Sequence, residues 1–177
     1  WREHDSFFLY VDTFDPHEPW DAPQWYVDRY DPGYSGQEVR YPIYGPCDYL
    51  TARELQHARA LYAAEVTLVD RWVGRLLEKI EDMGLLQNSL VALTTDHGFL
   101  HGEHGLIGKM HITPEWARYV PLYEEIAHIP LIIHYPGCTP RREAALVQPP
   151  DVMPTFLELA GAPDPGTMHG RSFWPLL

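Results

Sequence analysis

Hydrophobic positions divide the chain into a few short runs and one long periodic stretch. Phe7-Phe8-Leu9-Tyr10-Val11 is apolar on both faces of an extended chain, which predicts a strand over Ser6–Val11 inside a sheet covered on two sides. Further on, Leu55, Ala58, Leu61, Tyr62, Val66, Val69, Trp72, Val73, Leu76, Leu77 and Ile80 recur at spacings of three and four, the stripe of an amphipathic helix whose apolar face belongs in a core. Thr51-Ala52-Arg53-Glu54 is a capping box that starts this helix at about Ala52, and Gly84 suits a left-handed stop. Two more apolar runs, Leu90–Thr95 and Ile129–Tyr135, predict strands. Asp151–Ala160 predicts a short helix, with Asp151 as N-cap, Pro154 at the third position, and Met153, Phe156, Leu157 and Leu159 on the buried side, closed by Gly161. Long helix, short turn and apolar strand is the pattern of an α/β unit. Three strands joined by helical or irregular crossovers predict a mostly parallel central sheet flanked by helices.

The stretches between these elements read as loops. Asp21–Tyr49 is rich in Pro, Gly, Asp and Tyr and predicts a long irregular excursion packed through its aromatic rings, either as a substrate wall or as surface cover. Met110–Ala127 is polar and aromatic and is interrupted by Pro114 and Pro121, so any helix there is short. Cys138–Pro150 and Gly166–Leu177 predict connector and loop, and no internal repeat is present.

Composition narrows the possible partners. A net charge of −12, with Arg141-Arg142 as the one basic pair of note, argues against nucleic acid as a partner. No apolar run approaches the roughly 20 residues of a membrane span. At 177 residues the chain is long enough to bury a core, but it opens at Trp1 without an initiator methionine and reaches a strand pattern within a few residues. That is the look of a chain entered partway through a domain. Cys47 and Cys138 show no metal-type spacing, a disulfide between them has nothing to support it, and neither fixes a compartment.

Candidate chemistry gathers at strand ends. After the Leu90–Thr95 run come Asp96-His97-Gly98, then His101, Glu103, His104 and Lys109, the densest cluster of metal-capable and charged side chains in the sequence. Ligands of open α/β sheets bind beyond the carboxyl ends of strands. Asp96 and His97 would face opposite ways on a strand, so only a turn lets both reach one ion; a carboxylate and an imidazole suit Zn²⁺, Mn²⁺ or Ca²⁺ but fill none of their shells. Lys109, behind Gly105 and Gly108, is a candidate clamp on anionic oxygen. His17 lies between Pro16 and Pro19 in a turn after the first strand run; judged alone, it is more often an ordinary surface histidine.

Five blocks in order carry a family resemblance: FFLYVDTFDPHEPW, VDRWVGRLLEKIEDMGLL, TTDHGFLHGEHGLIGK, IPLIIHYPG and DVMPTFLELAGAPDPGTMHGRSFWPLL. Together they resemble the sulfatase family of the alkaline phosphatase superfamily, in particular its heparan-type and phosphonate-monoester-hydrolase-like branches. The resemblance implies an alkaline-phosphatase-like α/β fold and a formylglycine-dependent hydrolase of sulfuric esters. It implies Asp96 and His97 as metal ligands, Ca²⁺ being the first choice of ion with Mn²⁺ or Zn²⁺ as alternatives. His17 then contacts the ester and either protonates the leaving group or assists turnover of the covalent intermediate, Lys109 contacts the sulfate and the leaving oxygen, and His104 supports substrate binding. The implied partner is a small-molecule or glycan sulfate ester, with oligomeric state and compartment left open.

The family's Cys/Ser-x-Pro-x-Arg nucleophile block and its early aspartate pair do not occur in this sequence. Residues 1–177 are therefore expected to be the later part of a catalytic domain, inactive alone, with formylglycine in an upstream segment. A phosphonate monoester or phosphodiester hydrolase on the same scaffold, and a non-catalytic relative that binds a sulfated glycan, are the alternatives.

Overall fold

The structure is a computed structural model and describes residues 6–177. In chain order its elements are α1 (Gln24–Val27), β1 (Gly45–Pro46), α2 (Ala52–Asp82), β2 (Val91–Thr94), β3 (Leu100–His101), β4 (Leu106–Gly108), β5 (Met110–Ile112), β6 (Ala117–Tyr119), α3 (Glu124–Ala127), β7 (Leu131–His134) and α4 (Val152–Leu159). They fall into two compact units. One holds the residues up to Met83 together with His97–Ile129, the other Gly84–Asp96 with Pro130–Leu177.

The first unit is organised by α2. Its capping box forms as the sequence predicts: the Glu54 backbone N–H donates to the Thr51 hydroxyl, and the Glu54 carboxylate accepts from the Thr51 N–H. Gly84 stops it at φ +69°, a left-handed conformation that glycine adopts without steric cost. Only the N-terminal half of the stripe is buried. Ala58, Leu61 and Ala64 pack with Trp20, Tyr26, Val27 and Ile107, whereas Val66, Trp72, Leu76 and Leu77 are exposed, contrary to the expectation that the whole stripe is core. The reason is length: the loop and short strands that cover α2 reach along only part of it.

Those covering elements are small. β1, β4 and β3 form a three-stranded antiparallel sheet in that order, and β5 and β6 form an antiparallel hairpin. None of these strands has enough residues to leave a periodic trace in the sequence. A second apolar cluster, Leu100, Val120 and Ile126, binds β3 to α3 and the segment before it. Ser6–Val11 does not become a strand, and Phe8, Leu9 and Tyr10 are 72, 61 and 74% exposed. An apolar run becomes a strand only where a neighbour completes its ladder, and among the described residues none does so here.

In the second unit β2 and β7 pair antiparallel, Val91 opposite His134 and Thr94 opposite Leu131. The expected parallel arrangement does not form among the described residues, all of whose strand pairs are antiparallel. Residues 95–130 fold into hairpin strands and turns of their own instead of one crossover helix, and the chain comes back alongside β2 running the other way. Mixed helices and strands keep the α/β class. α4 lies where predicted, and Gly161 ends it at φ +62°. Asp151, however, makes no capping bond to α4: its carboxylate accepts from the Gln148 and Arg171 N–H groups and ties the helix start to the C-terminal loop. The buried residues of α4 are Pro154 and Thr155, while Met153 and Leu159 are exposed, so the helix turns a different face inward from the one predicted. Cys47 and Cys138 are both free thiols.

Candidate active site

The loop that carries His17 is fixed from several sides. The His17 N–H donates to the Phe14 carbonyl, closing the turn, and the Trp20 N–H donates to the Arg40 carbonyl. Trp20 is fully buried against Tyr62 and Phe99, and the Ala22 N–H donates to Glu65 Oε1 at 2.5 Å. Burying the Trp20 ring contributes on the order of 2–3 kcal/mol to anchoring this segment on α2. Glu65 is itself buried, and burial pushes its carboxyl above the usual range.

The segment from His97 to Lys109 is shaped by two close backbone approaches. A Cβ on Gly98 would meet the Glu125 carbonyl oxygen at 1.9 Å, and the Gly98 N–H donates to the Ile126 carbonyl, so the position following His97 accepts no side chain. Gly108 has φ +106° with Tyr44 against it, and it turns the chain into Lys109.

These two loops meet at one cation. Lys109 Nζ is 3.0 Å from His17 Nε2 and 3.3 Å from His97 Nε2, joining groups 92 and 12 residues away in the sequence. The tautomers follow from the other ring edges. His17 Nδ1 lies 2.8 Å from the Glu18 carbonyl oxygen and His97 Nδ1 lies 2.9 Å from the Gly98 carbonyl oxygen; a carbonyl only accepts, so each Nδ1 carries the proton. Both Nε2 lone pairs then point at the ammonium, which donates to both. An anion arriving here meets a lysine held by neutral acceptors that give it up readily, unlike a lysine neutralised by a carboxylate.

His104 stands apart from that trio. Its ring stacks on Tyr123 at 3.7 Å and its Nε2 is 3.3 Å from Glu125 Oε2. Its backbone has φ +56°, so the Glu-His-Gly turn aims it by conformation. Asp96 belongs to the other compact unit, where the Thr95 hydroxyl donates to its Oδ1 at 3.3 Å. Among the described residues no group of three or more His, Cys, Asp or Glu side chains is placed to hold a metal ion. His97 nevertheless has the preparation a metal-binding imidazole needs, an Nδ1–H fixed on a carbonyl and an outward Nε2 lone pair. On that chemistry His97 would suit a divalent ion as one ligand.

Sequence reasoning missed a second polar cluster in the same unit. Arg53 donates two bonds of 2.7 Å to Asp31, and His57, 1% exposed on the inner face of α2, sits 2.7 Å from Asp31 Oδ2 through Nδ1. Tyr34 stacks on His57 at 3.6 Å, and the Arg53 guanidinium lies over the same tyrosine. The Arg53 guanidinium holds the Asp31 carboxyl below its usual range. The available signal was a histidine on the apolar stripe of the helix, four positions after an arginine. His101 was noted only as part of a dense cluster; it is buried among Trp20, Tyr62 and Phe99, and burial lowers its pKa to about 4.

The sulfatase family model matches residues 2–162. The chain belongs to the sulfatase family. Arylsulfatase K of Canis lupus familiaris is 35% identical over 127 residues, 71% of this chain and 22% of that protein. The N-acetylglucosamine-6-O-sulfatase of Bacteroides thetaiotaomicron is 39% identical over 121 residues, 66% of this chain and 19% of its own length. Among solved structures, the phosphonate monoester hydrolase SpPMH from Silicibacter pomeroyi superposes with a TM-score of 0.72 at 29% identity, over 92% of this chain and 35% of that one. The fold is therefore that of the alkaline-phosphatase-like α/β domains of this group. The match spans about a fifth of the length of each of these two curated relatives. Members of the sulfatase family generally use a divalent metal and a formylglycine.

Proposed function

We propose that this chain is the later part of a sulfatase catalytic domain and that it works in the hydrolysis of a sulfate ester. The observation that carries the reading is the Lys109 ammonium shared by His17 Nε2 and His97 Nε2, because two separated blocks of the family pattern converge there with donors and lone pairs matched. In this reading Lys109 turns from the imidazoles to the sulfate and the leaving oxygen as negative charge grows on them. His17, its Nδ1–H held on a carbonyl, presents Nε2 to the leaving oxygen and passes it a proton, or assists turnover afterwards. His104 supports the substrate from the side of Tyr123. Asp96 and His97 supply two ligands to a divalent ion, Ca²⁺ first with Mn²⁺ or Zn²⁺ as alternatives, which when bound polarises the sulfate. The formylglycine nucleophile belongs to an upstream segment of the same domain.

Two surfaces support placing the chain within a larger domain. Phe7–Val11 and the far half of α2, with Trp72, Leu76 and Leu77, expose apolar side chains in runs, the kind of surface that a folded neighbour covers. No helix among the described residues is long and apolar enough to cross a membrane. The substrate class is a small-molecule or glycan sulfate ester; the relative named for N-acetylglucosamine 6-O-sulfate chemistry makes the glycan the first to try.

The likeness to a phosphonate monoester hydrolase favours one second reading, a phosphorus-ester hydrolase using the same residues. Parallel turnover of an aryl sulfate, a phosphonate monoester and a phosphodiester by the complete domain separates the two. The sulfatase reading expects the highest kcat/KM on the sulfate, and a clear preference for phosphorus esters overturns it. A third possibility, a non-catalytic glycan-binding relative, requires that the upstream sequence lack Cys/Ser-x-Pro-x-Arg.

A further inference from the structure

Glu18 follows the candidate acid directly, and its environment is unusual for a loop glutamate. It is 1% exposed, and Oε1 is buried with no hydrogen-bond partner among the described residues. Its other oxygen, Oε2, lies 3.5 Å from His17 Nδ1. A carboxylate drawn into the interior needs a cation or a set of donors to offset lost hydration, and the cation-capable group within reach is the imidazole itself. A glutamate between two prolines in a surface turn has solvent available to it; here the turn instead folds the side chain back beneath its neighbour.

The ring of His17 is consequently gripped along one edge by a single residue. Nδ1–H donates to the Glu18 carbonyl at 2.8 Å and has the Glu18 carboxylate 3.5 Å away, while Nε2, on the opposite edge, faces Lys109. To hand a proton to a leaving oxygen the ring must first carry two. In that state Lys109 opposes the charge from the Nε2 side and Glu18 offsets it from the Nδ1 side. We propose that Glu18 is the positioning residue of His17: its buried carboxylate fixes the ring edge and sustains the doubly protonated ring while Nε2 stays turned to the ester. As the sulfur–oxygen bond to the leaving group breaks, its electron pair remains on the leaving oxygen, which takes the Nε2 proton. The Nδ1 proton stays where it is. This inference rests on the reading of His17 as the acid.

Leaving-group dependence tests it, because a general acid matters most where the departing oxygen is most basic. In the complete catalytic domain, Glu18→Gln assayed on a series of aryl sulfates is expected to lower kcat by about 10- to 100-fold on the poorest leaving group and by no more than about threefold on the best, with KM nearly unchanged and Glu18→Asp recovering part of the loss. A uniform loss across the series, or none, overturns the role of Glu18. His17→Ala serves as the reference: if it steepens the dependence while Glu18→Gln does not, only the Glu18 inference fails, and if it does not steepen it, the acid role of His17 fails and takes Glu18 with it. A measurement without any substitution covers the case in which Glu18→Gln does not fold. Long-range ¹H–¹⁵N spectra of the histidine-labelled protein are expected to show His17 as the Nδ1–H tautomer, and an Nε2–H tautomer overturns the proposal.

Discussion

Two histidine clusters lie in the same compact unit and end in opposite states. At Asp31, the carboxylate accepts two bonds from Arg53 and one from His57, Tyr34 covers the ring, and the charges cancel within the cluster. At Lys109, the described partners of the ammonium are two imidazole nitrogens, and the nearby Glu18 carboxylate lies at the far edge of His17 instead of bonding the cation. The first arrangement clamps the Asp21–Tyr49 excursion onto the start of α2. The second leaves an ammonium bonded to imidazole nitrogens. Histidine content and exposure alone do not separate them; what separates them is whether a carboxylate bonds the cation directly. A chain of net charge −12 repels anions at a distance, so the proposed ester substrate would need a local cation that no carboxylate bonds directly.

That contrast fails if the two clusters respond alike to substitution. Lys109→Ala in the complete domain is expected to lower kcat/KM on an aryl sulfate by about 10³-fold, or ~4 kcal/mol, with thermal stability unchanged within a degree or two. Retention of most of the activity removes Lys109 from the site. Asp31→Ala is expected to do the reverse, costing about 3 kcal/mol of stability because it leaves Arg53 and the buried His57 without their acceptor, while kcat stays within about threefold. Chemical denaturation together with steady-state kinetics reads both, and a large kcat loss at unchanged stability would move this cluster into the active site.

Acid sharpens the comparison further. The folded state holds His101 neutral down to about pH 4, whereas the unfolded chain takes up that proton near 6.5, so the stability it contributes is complete above pH 6.5 and is lost as pH falls toward 4. The loss amounts to at most about 3 kcal/mol and is followed by unfolding midpoints at a series of pH values; His101→Phe should flatten that slope. Asp31, its carboxyl lowered by Arg53, contributes stability above the ordinary carboxylate range and loses it only at still lower pH, as its own folded-state value is crossed. The smallest effect belongs to His104→Ala. Stacked on Tyr123 and bonded to Glu125, it should change KM by less than about tenfold and leave kcat nearly intact.

The two clusters also differ in how far they can be read from the chain. His17, Asp96, His97, His104 and Lys109 lie in compact blocks whose order carries the family pattern, and so do the glycines that shape the turns between them. Asp31, Arg53 and His57 lie in no such block. Their partnership spans a loop of irregular conformation and joins a helix face, and no local rule connects them. Glu18 is an intermediate case: its place beside His17 is plain in the sequence, but its burial is not.

By itself the sequence determined the start and stop of α2, the β2 and β7 strands, the position of α4, and the residues that carry the candidate chemistry. The elements rest on local physics, namely capping bonds, left-handed glycines and apolar runs; the candidate residues rest on a dense run of charged and metal-capable side chains and on the family resemblance. Tertiary structure alone decided the rest. It determined that β2 and β7 pair antiparallel, that only the first half of α2 is buried, that Phe7–Val11 forms no strand, and that His17, His97 and Lys109 share one hydrogen-bonded point. Each depends on which distant segment supplies the partner, and strand pairing, burial and a shared donor are properties of pairs of segments that neither segment encodes alone.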